Sequence, residues 1–364
     1  MLEILKQHWP EYLIEAACLG LFMISAFMFG AILEHPASPV HRSLPDPLLR
    51  RFLMGLAMGG TAIGIIYSPW GKRSGAHINP CTTITFLRLG KVAKHDAAFY
   101  LASQFAGGLI GAAIAAFFLA SWVSHPAVNY VVTAPGARGT WVAFFAEIAI
   151  TFILMTVILH ISNNRRLHKL TGLCAGILVA VYITVEAPIS GMSMNPARSL
   201  ASAVPARHWI DLWIYFTAPI IGMLSAAELY LRTNGAAQIS CAKLHHQNRE
   251  RCIFCGKPTE KTLTETFKSE LAACGRKPWR GIPKYSVQVA HRASVDEKGR
   301  MFALTAWAPH LFRGSRPSKP ELKFMQEKVH EPRLEDPRAP SLSASRSFAR
   351  SARSCRPACR GSGR

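Results

Sequence analysis

The sequence has 364 residues, of which 50% are apolar and 17% charged, yet its formal net charge is +21. A soluble domain does not combine so small a charged fraction with so large an excess of one sign. Most of that excess lies beyond Cys241, so a hydrophobic first part precedes a basic appendage, and the nine cysteines show no spacing of a secreted disulfide framework.

Taken in chain order, the first part holds apolar runs at about 12–33, 48–67, 97–122, 141–161, 171–186 and 209–231. About 20 helical residues cross roughly 30 Å of hydrocarbon, so each run predicts a membrane span. The first run has the look of a signal peptide, but Glu3 and Glu11 precede it and no small-residue cleavage site follows, so it reads as a retained span. Six spans put both termini on one side. That side carries Lys6, Lys72, Arg73, Arg88, Lys91, Lys94, Arg165, Arg166, Lys169 and Arg232, against Arg42, Arg50, Arg51, Arg138 and Arg207 opposite. The bias predicts cytoplasmic termini in a multi-pass protein of the cell membrane. Glycines four apart at Gly55/Gly59, Gly60/Gly64, Gly107/Gly111 and Gly172/Gly176 predict close helix packing.

Two further apolar pieces, 79–89 and 195–204, would extend only about 15 Å as helices. Neither crosses a bilayer. Irregular backbone at membrane depth is tolerated where it lines a cavity, so both read as re-entrant half-helices. Each opens on an asparagine followed by proline, Asn79-Pro80 and Asn195-Pro196, an N-cap residue before a proline at the first helical position. Glu15 and Phe22 in the first span are echoed by Glu147 and Phe152 in the fourth, and each triplet of spans carries one half-helix. An odd number of spans per unit makes the second copy inverted, and the half-helices then meet near the midplane. The expected fold is an all-α membrane protein of six transmembrane helices plus two re-entrant half-helices.

The stretches Ser74-Gly-Ala-His-Ile-Asn-Pro-Cys-Thr-Thr83 and Gly191-Met-Ser-Met-Asn-Pro-Ala-Arg-Ser199 carry a resemblance to the major intrinsic protein family, the aquaporins and glycerol facilitators. Tyr100-Leu-Ala-Ser-Gln104 with Gly107, Glu147, and Trp213-Ile-Tyr-Phe-Thr-Ala-Pro219 extend it over about 11–232. The resemblance implies a passive, non-enzymatic channel for water and small neutral solutes such as glycerol, a homotetramer in the lipid bilayer, and no cofactor for transport. It places Asn79, Pro80, Cys81, Asn195, Pro196 and Ala197 at the centre of a pore. Arg198 matches the arginine of the outer constriction, where the family's spacing adds Met192, Ile183 and Met54. Ile183 stands where water-selective members have histidine, and Ser199 where glycerol channels have aspartate. Glu15, Glu147 and His77 match residues that brace the loops. Proton coupling through Glu15 and Glu147 is the rival transport reading.

In the appendage, Cys241-x3-His245-His246-x5-Cys252-x2-Cys255 has the residue mixture of a tetrahedral zinc site. Cys241, His245, Cys252 and Cys255 are the expected ligands, with a redox pair or an unligated turn as alternatives. A metal-responsive membrane sensor is the corresponding functional alternative. The chain thus divides into a channel domain at 1–235, a Cys/His segment at 236–260 and a basic tail at 261–364. The tail, ending in Ser, Arg, Ala and Gly, is expected to be disordered. It lacks an aromatic platform, so anionic lipid is the expected partner and nucleic acid is not.

Overall fold

The computed structural model describes residues 2–259, and beyond them only the backbone of two short strands. In chain order the helices are α1 (Leu2–Glu34), α2 (Pro39–Ser43), α3 (Pro47–Tyr67), α4 (Pro69–Ser74), α5 (Pro80–Arg88), α6 (Lys94–Ser124), α7 (Thr140–Ser162), α8 (Thr171–Val185), α9 (Ala187–Ser190), α10 (Pro196–Ala206) and α11 (Leu212–Asn234). Six of them are long and apolar enough to cross a bilayer: α1, α3, α6, α7, α8 and α11. In a separate unit, β1 (Ser294–Val295) and β2 (Met301–Phe302) pair antiparallel. Apart from these strands, the disorder expected for 261–364 lies outside the described residues.

Helix α1 starts ten residues before the apolar run. Its first turns mix polar with apolar residues, and buried Glu11 there pairs with Arg73 at 3.0 Å and with Arg251 at 2.7 Å. Asp46 caps α3 by accepting from the Leu48 N–H at 2.9 Å, with Pro47 at the first helical position. Ser68 caps α4 in the same way, so what looks like an insertion before the first Asn-Pro motif is a short helix.

The packing is two-fold in pattern. In the first half α1 packs along α6; in the second, α7 packs along α11, and α3 joins the halves against α8. Half-helix α10 lies against α6 and half-helix α5 against α11, so each half seats the other's half-helix. Glycine makes these approaches: a Cβ on Gly107 would stand 2.1 Å from the Ala16 carbonyl oxygen, and one on Gly111 2.3 Å from that of Gly20. Gly55 and Gly59 similarly admit the carbonyls of Ala180 and Gly176. Gly60 and Gly64 do not belong to this set. Among the described residues a Cβ on either would have nothing within 4 Å, because they sit on the face of α3 turned from its neighbours.

Gly107→Ala therefore drives a methyl into a backbone that cannot yield, and is expected to destabilise by about 1–3 kcal/mol. Gly60→Ala leaves stability unchanged. Thermal unfolding in detergent, followed by tryptophan fluorescence, separates the two variants.

Candidate pore

Both Asn-Pro motifs start helices as their chemistry dictates. The Asn79 Oδ1 accepts from the Cys81 N–H at 2.9 Å, and the Asn195 Oδ1 from the N–H groups of Ala197 at 3.0 Å and Arg198 at 3.2 Å. Pro80 and Pro196 fill the first helical positions, where a missing N–H costs nothing. The two N-termini meet. Asn79 Nδ2 donates to the Met194 carbonyl at 2.7 Å, and Asn195 Nδ2 donates to the Ile78 carbonyl at 2.8 Å.

The loops leading into the half-helices match position by position. Gly75, Ala76 and Ile78 have φ of 105°, 54° and 42°; Gly191, Met192 and Met194 have 80°, 49° and 57°. Left-handed backbone at a non-glycine residue costs about 1–2 kcal/mol and needs support. Glu15 supplies it on one side, accepting from Ser74 Oγ at 2.7 Å, His77 N at 3.1 Å, Ile78 N at 2.7 Å and Gln104 Nε2 at 3.0 Å. Glu147 supplies it on the other, accepting from Ser190 Oγ at 2.8 Å, Ser193 N at 2.6 Å and Met194 N at 2.8 Å. Tyr100 and Tyr215 hydroxyls donate to the Ser74 and Ser190 carbonyls. The Tyr215 partnership was not read from the sequence, although its spacing in the last span echoes the first half.

A cavity of about 270 Å³ runs past the junction of the half-helices. Asn79, Asn195, Arg198, Met192, Ile183 and Met54 all line it, as does His77. Arg198 Nη1 is buried without a hydrogen-bond partner among the described residues. Cys81 and Ala197 are wholly buried and, with Pro80 and Pro196, lie behind the lining. Their part is to pack the half-helices, because side chains one and two places beyond the cap turn away from the cavity. Glu15 and Glu147 are also fully buried off the cavity.

The major intrinsic protein family matches residues 7–230. The chain belongs to that family. Among its relatives, aquaporin NIP2-2 of Zea mays is 37% identical over 173 residues, 47% of this chain and 57% of the maize protein. The chain thus spans a little over half the length of such curated relatives. The probable aquaporin NIP7-1 of Arabidopsis thaliana is 31% identical over 227 residues, covering 61% of this chain and 76% of that protein. The aquaglyceroporin of Plasmodium falciparum shares the fold, with a TM-score of 0.52 at 18% identity over 64% of this chain and 98% of its own.

This major intrinsic protein also carries the Cys/His segment against the membrane domain. The ligand atoms of Cys241, His246, Cys252 and Cys255 lie within 4.8 Å of one another. Cys241 Sγ is 3.4 Å from Cys252 Sγ, and His246 Nε2 is 3.1 Å from Cys255 Sγ. The expected histidine ligand, His245, is displaced by its neighbour, because its ring turns away to meet Tyr67 edge-on at 5.2 Å. Gly256, at φ 72°, closes the knuckle, and Cys252 N donates to the Lys257 carbonyl at 2.7 Å. Hydrogen bonds from the Cys241 and Cys252 thiols, joined by the His246 ring, pull the Cys255 thiol down, while the same bonding pushes Cys241 up. Burial opposes the charge on His246, yet its hydrogen bonds to Cys252 and Cys255 raise it to about 9.

Glu147→Gln replaces an acceptor-only group by one that presents N–H to a loop N–H. An unsatisfied buried donor costs about 1–3 kcal/mol. The variant is expected to lower the thermal unfolding midpoint and to reduce flux through the pore, both measurable on the purified protein.

Proposed function

We propose that the chain is a passive channel for water and small uncharged solutes such as glycerol, without a catalytic step or a cofactor for transport. The observation that carries this reading is the reciprocal bonding of Asn79 and Asn195 across the cavity wall. Each amide spends its oxygen on its own helix and one N–H on the opposite loop. One N–H per asparagine is left for a passing oxygen. Each half-helix also presents roughly +0.5 charge at its N-terminus. Cations meet that positive centre and are repelled, while a neutral molecule accepts the two N–H groups. Water held by both donors turns its hydrogens outward, which interrupts a proton relay.

Selection belongs to the level of Arg198. Its unpartnered N–H groups offer a neutral hydroxyl a donor, and Met54, Ile183 and Met192 supply apolar walls. Methionine adapts its shape, so the filter admits more than water. The proton-coupled reading finds less support: both carboxylates are engaged by loop donors away from the cavity. The proposal includes a homotetramer, each protomer with its own pore, in the cell membrane with both termini cytoplasmic. The contact of Arg251 with Glu11 supports placing both ends of the channel domain on one face.

Stopped-flow light scattering of proteoliposomes tests the reading under water and then glycerol gradients. The wild type is expected to pass both above the lipid background. Ile183→His keeps water flux and lowers glycerol flux by about tenfold, whereas Arg198→Ala broadens the solute range. Equal glycerol flux in wild type and Ile183→His contradicts the filter assignment.

A further inference from the structure

The Cys/His segment reaches the pore. Leu244, three residues past Cys241 and two before His246, is buried and lines the same cavity as His77 and Asn79. Its N–H donates to the Gly75 carbonyl at 3.1 Å, and the preceding Ala242 carbonyl lies 2.9 Å from His77 Nε2. Phe254, between Cys252 and Cys255, stacks parallel on the His77 ring at 5.3 Å. The segment is therefore seated on the loop that opens the first half-helix.

Its other anchors surround that seat. Lys243 Nζ donates to the Lys72 carbonyl at 2.8 Å, and Arg251 Nε donates to Glu11 at 2.7 Å. Lys243 Nζ also donates to the Arg251 carbonyl, and the Cys/His cluster joins the same two stretches through four side chains. One ligand, Cys241, precedes Leu244, and three follow it. Ile239, Ala242 and Leu244 already join the buried core with Phe254 packed against it, and the cross-link at the cluster ties the stretch that carries Phe254 to the one that carries Leu244, fixing the latter in the cavity.

We infer that Cys241, His246, Cys252 and Cys255 bind one zinc ion, and that this ion fastens Leu244 across the mouth of the pore as a metal-dependent gate. Three thiolates and one imidazole are a tetrahedral donor set for zinc, and the knuckle around Gly256 is the turn such a pair of cysteines needs. Binding displaces the thiol protons to solvent. Cys255 is exposed, so the ion exchanges with the surrounding solution. With zinc bound, an apolar side chain narrows a passage that neutral solutes enter, and such a constriction closes by excluding water. With zinc removed, the segment loosens and the mouth opens.

This gate rests on the channel reading, and one experiment separates the two. Full-length protein in proteoliposomes is loaded with zinc or stripped by a membrane-permeant chelator; metal content is measured, and water permeability is followed by light scattering. The expected result is one zinc per chain and a rise in permeability of about threefold or more on stripping. Cys252→Ser is expected to lose zinc and stay open. Leu244→Ala keeps its zinc and flows freely in both states, which guards against misfolding of the cysteine variant. Flux above the lipid background that ignores bound zinc, or a chain that binds no zinc, overturns the gate alone. Flux at the lipid background in every state and in Leu244→Ala overturns the channel reading with it.

Discussion

Everything in the membrane domain is arranged around a junction of two helix N-termini that would otherwise repel each other. Each carries partial positive charge, and neither is long enough to cross the bilayer. The reciprocal bonds from Asn79 to the Met194 carbonyl and from Asn195 to the Ile78 carbonyl hold them together. Each carbonyl belongs to the residue just ahead of the other half's asparagine. The negative end of one loop's peptide thus answers the donor of the other's cap, and the cavity wall is made of the same groups that make the junction.

That arrangement forces the backbone before each cap into the left-handed region, and the rest of the bundle compensates. A carboxylate accepts bonds and donates none, so a single buried Glu15 or Glu147 can gather the diverging N–H groups of a loop. Buried carboxylates of this kind are costly in a membrane, and here the loop N–H groups make up the cost. Close glycine contacts then let α1 meet α6 at Gly107 and Gly111, and α7 meet α11 at Gly222, with enough precision to bring Glu15 and Glu147 under their loops.

Much of this was readable from residue order. Length and apolarity mark six spans, and an asparagine before a proline at the head of a short apolar piece marks each half-helix. The start of α1 was not readable, since hydropathy records contact with lipid and the turns from Leu2 to Glu11 are held by ion pairs instead. His245 and His246 have equal claims by spacing; only the course of the chain around Tyr67 decides between them. Gly60 and Gly64 repeat a packing pattern on a face that meets nothing among the described residues, because four-residue spacing records a stripe without saying what lies opposite. The seat of Leu244 depends on contacts with residues about 170 positions away, such as Gly75, and no local pattern carries them.

The central claim is that the asparagine junction passes neutral molecules and stops protons. Water permeability and proton leak measured in the same proteoliposomes, with a pH-reporting dye inside and the protein stripped of metal, test it most directly. The account predicts fast osmotic shrinkage with a proton leak no greater than that of empty vesicles. A proton flux that rises in step with the water flux would contradict it.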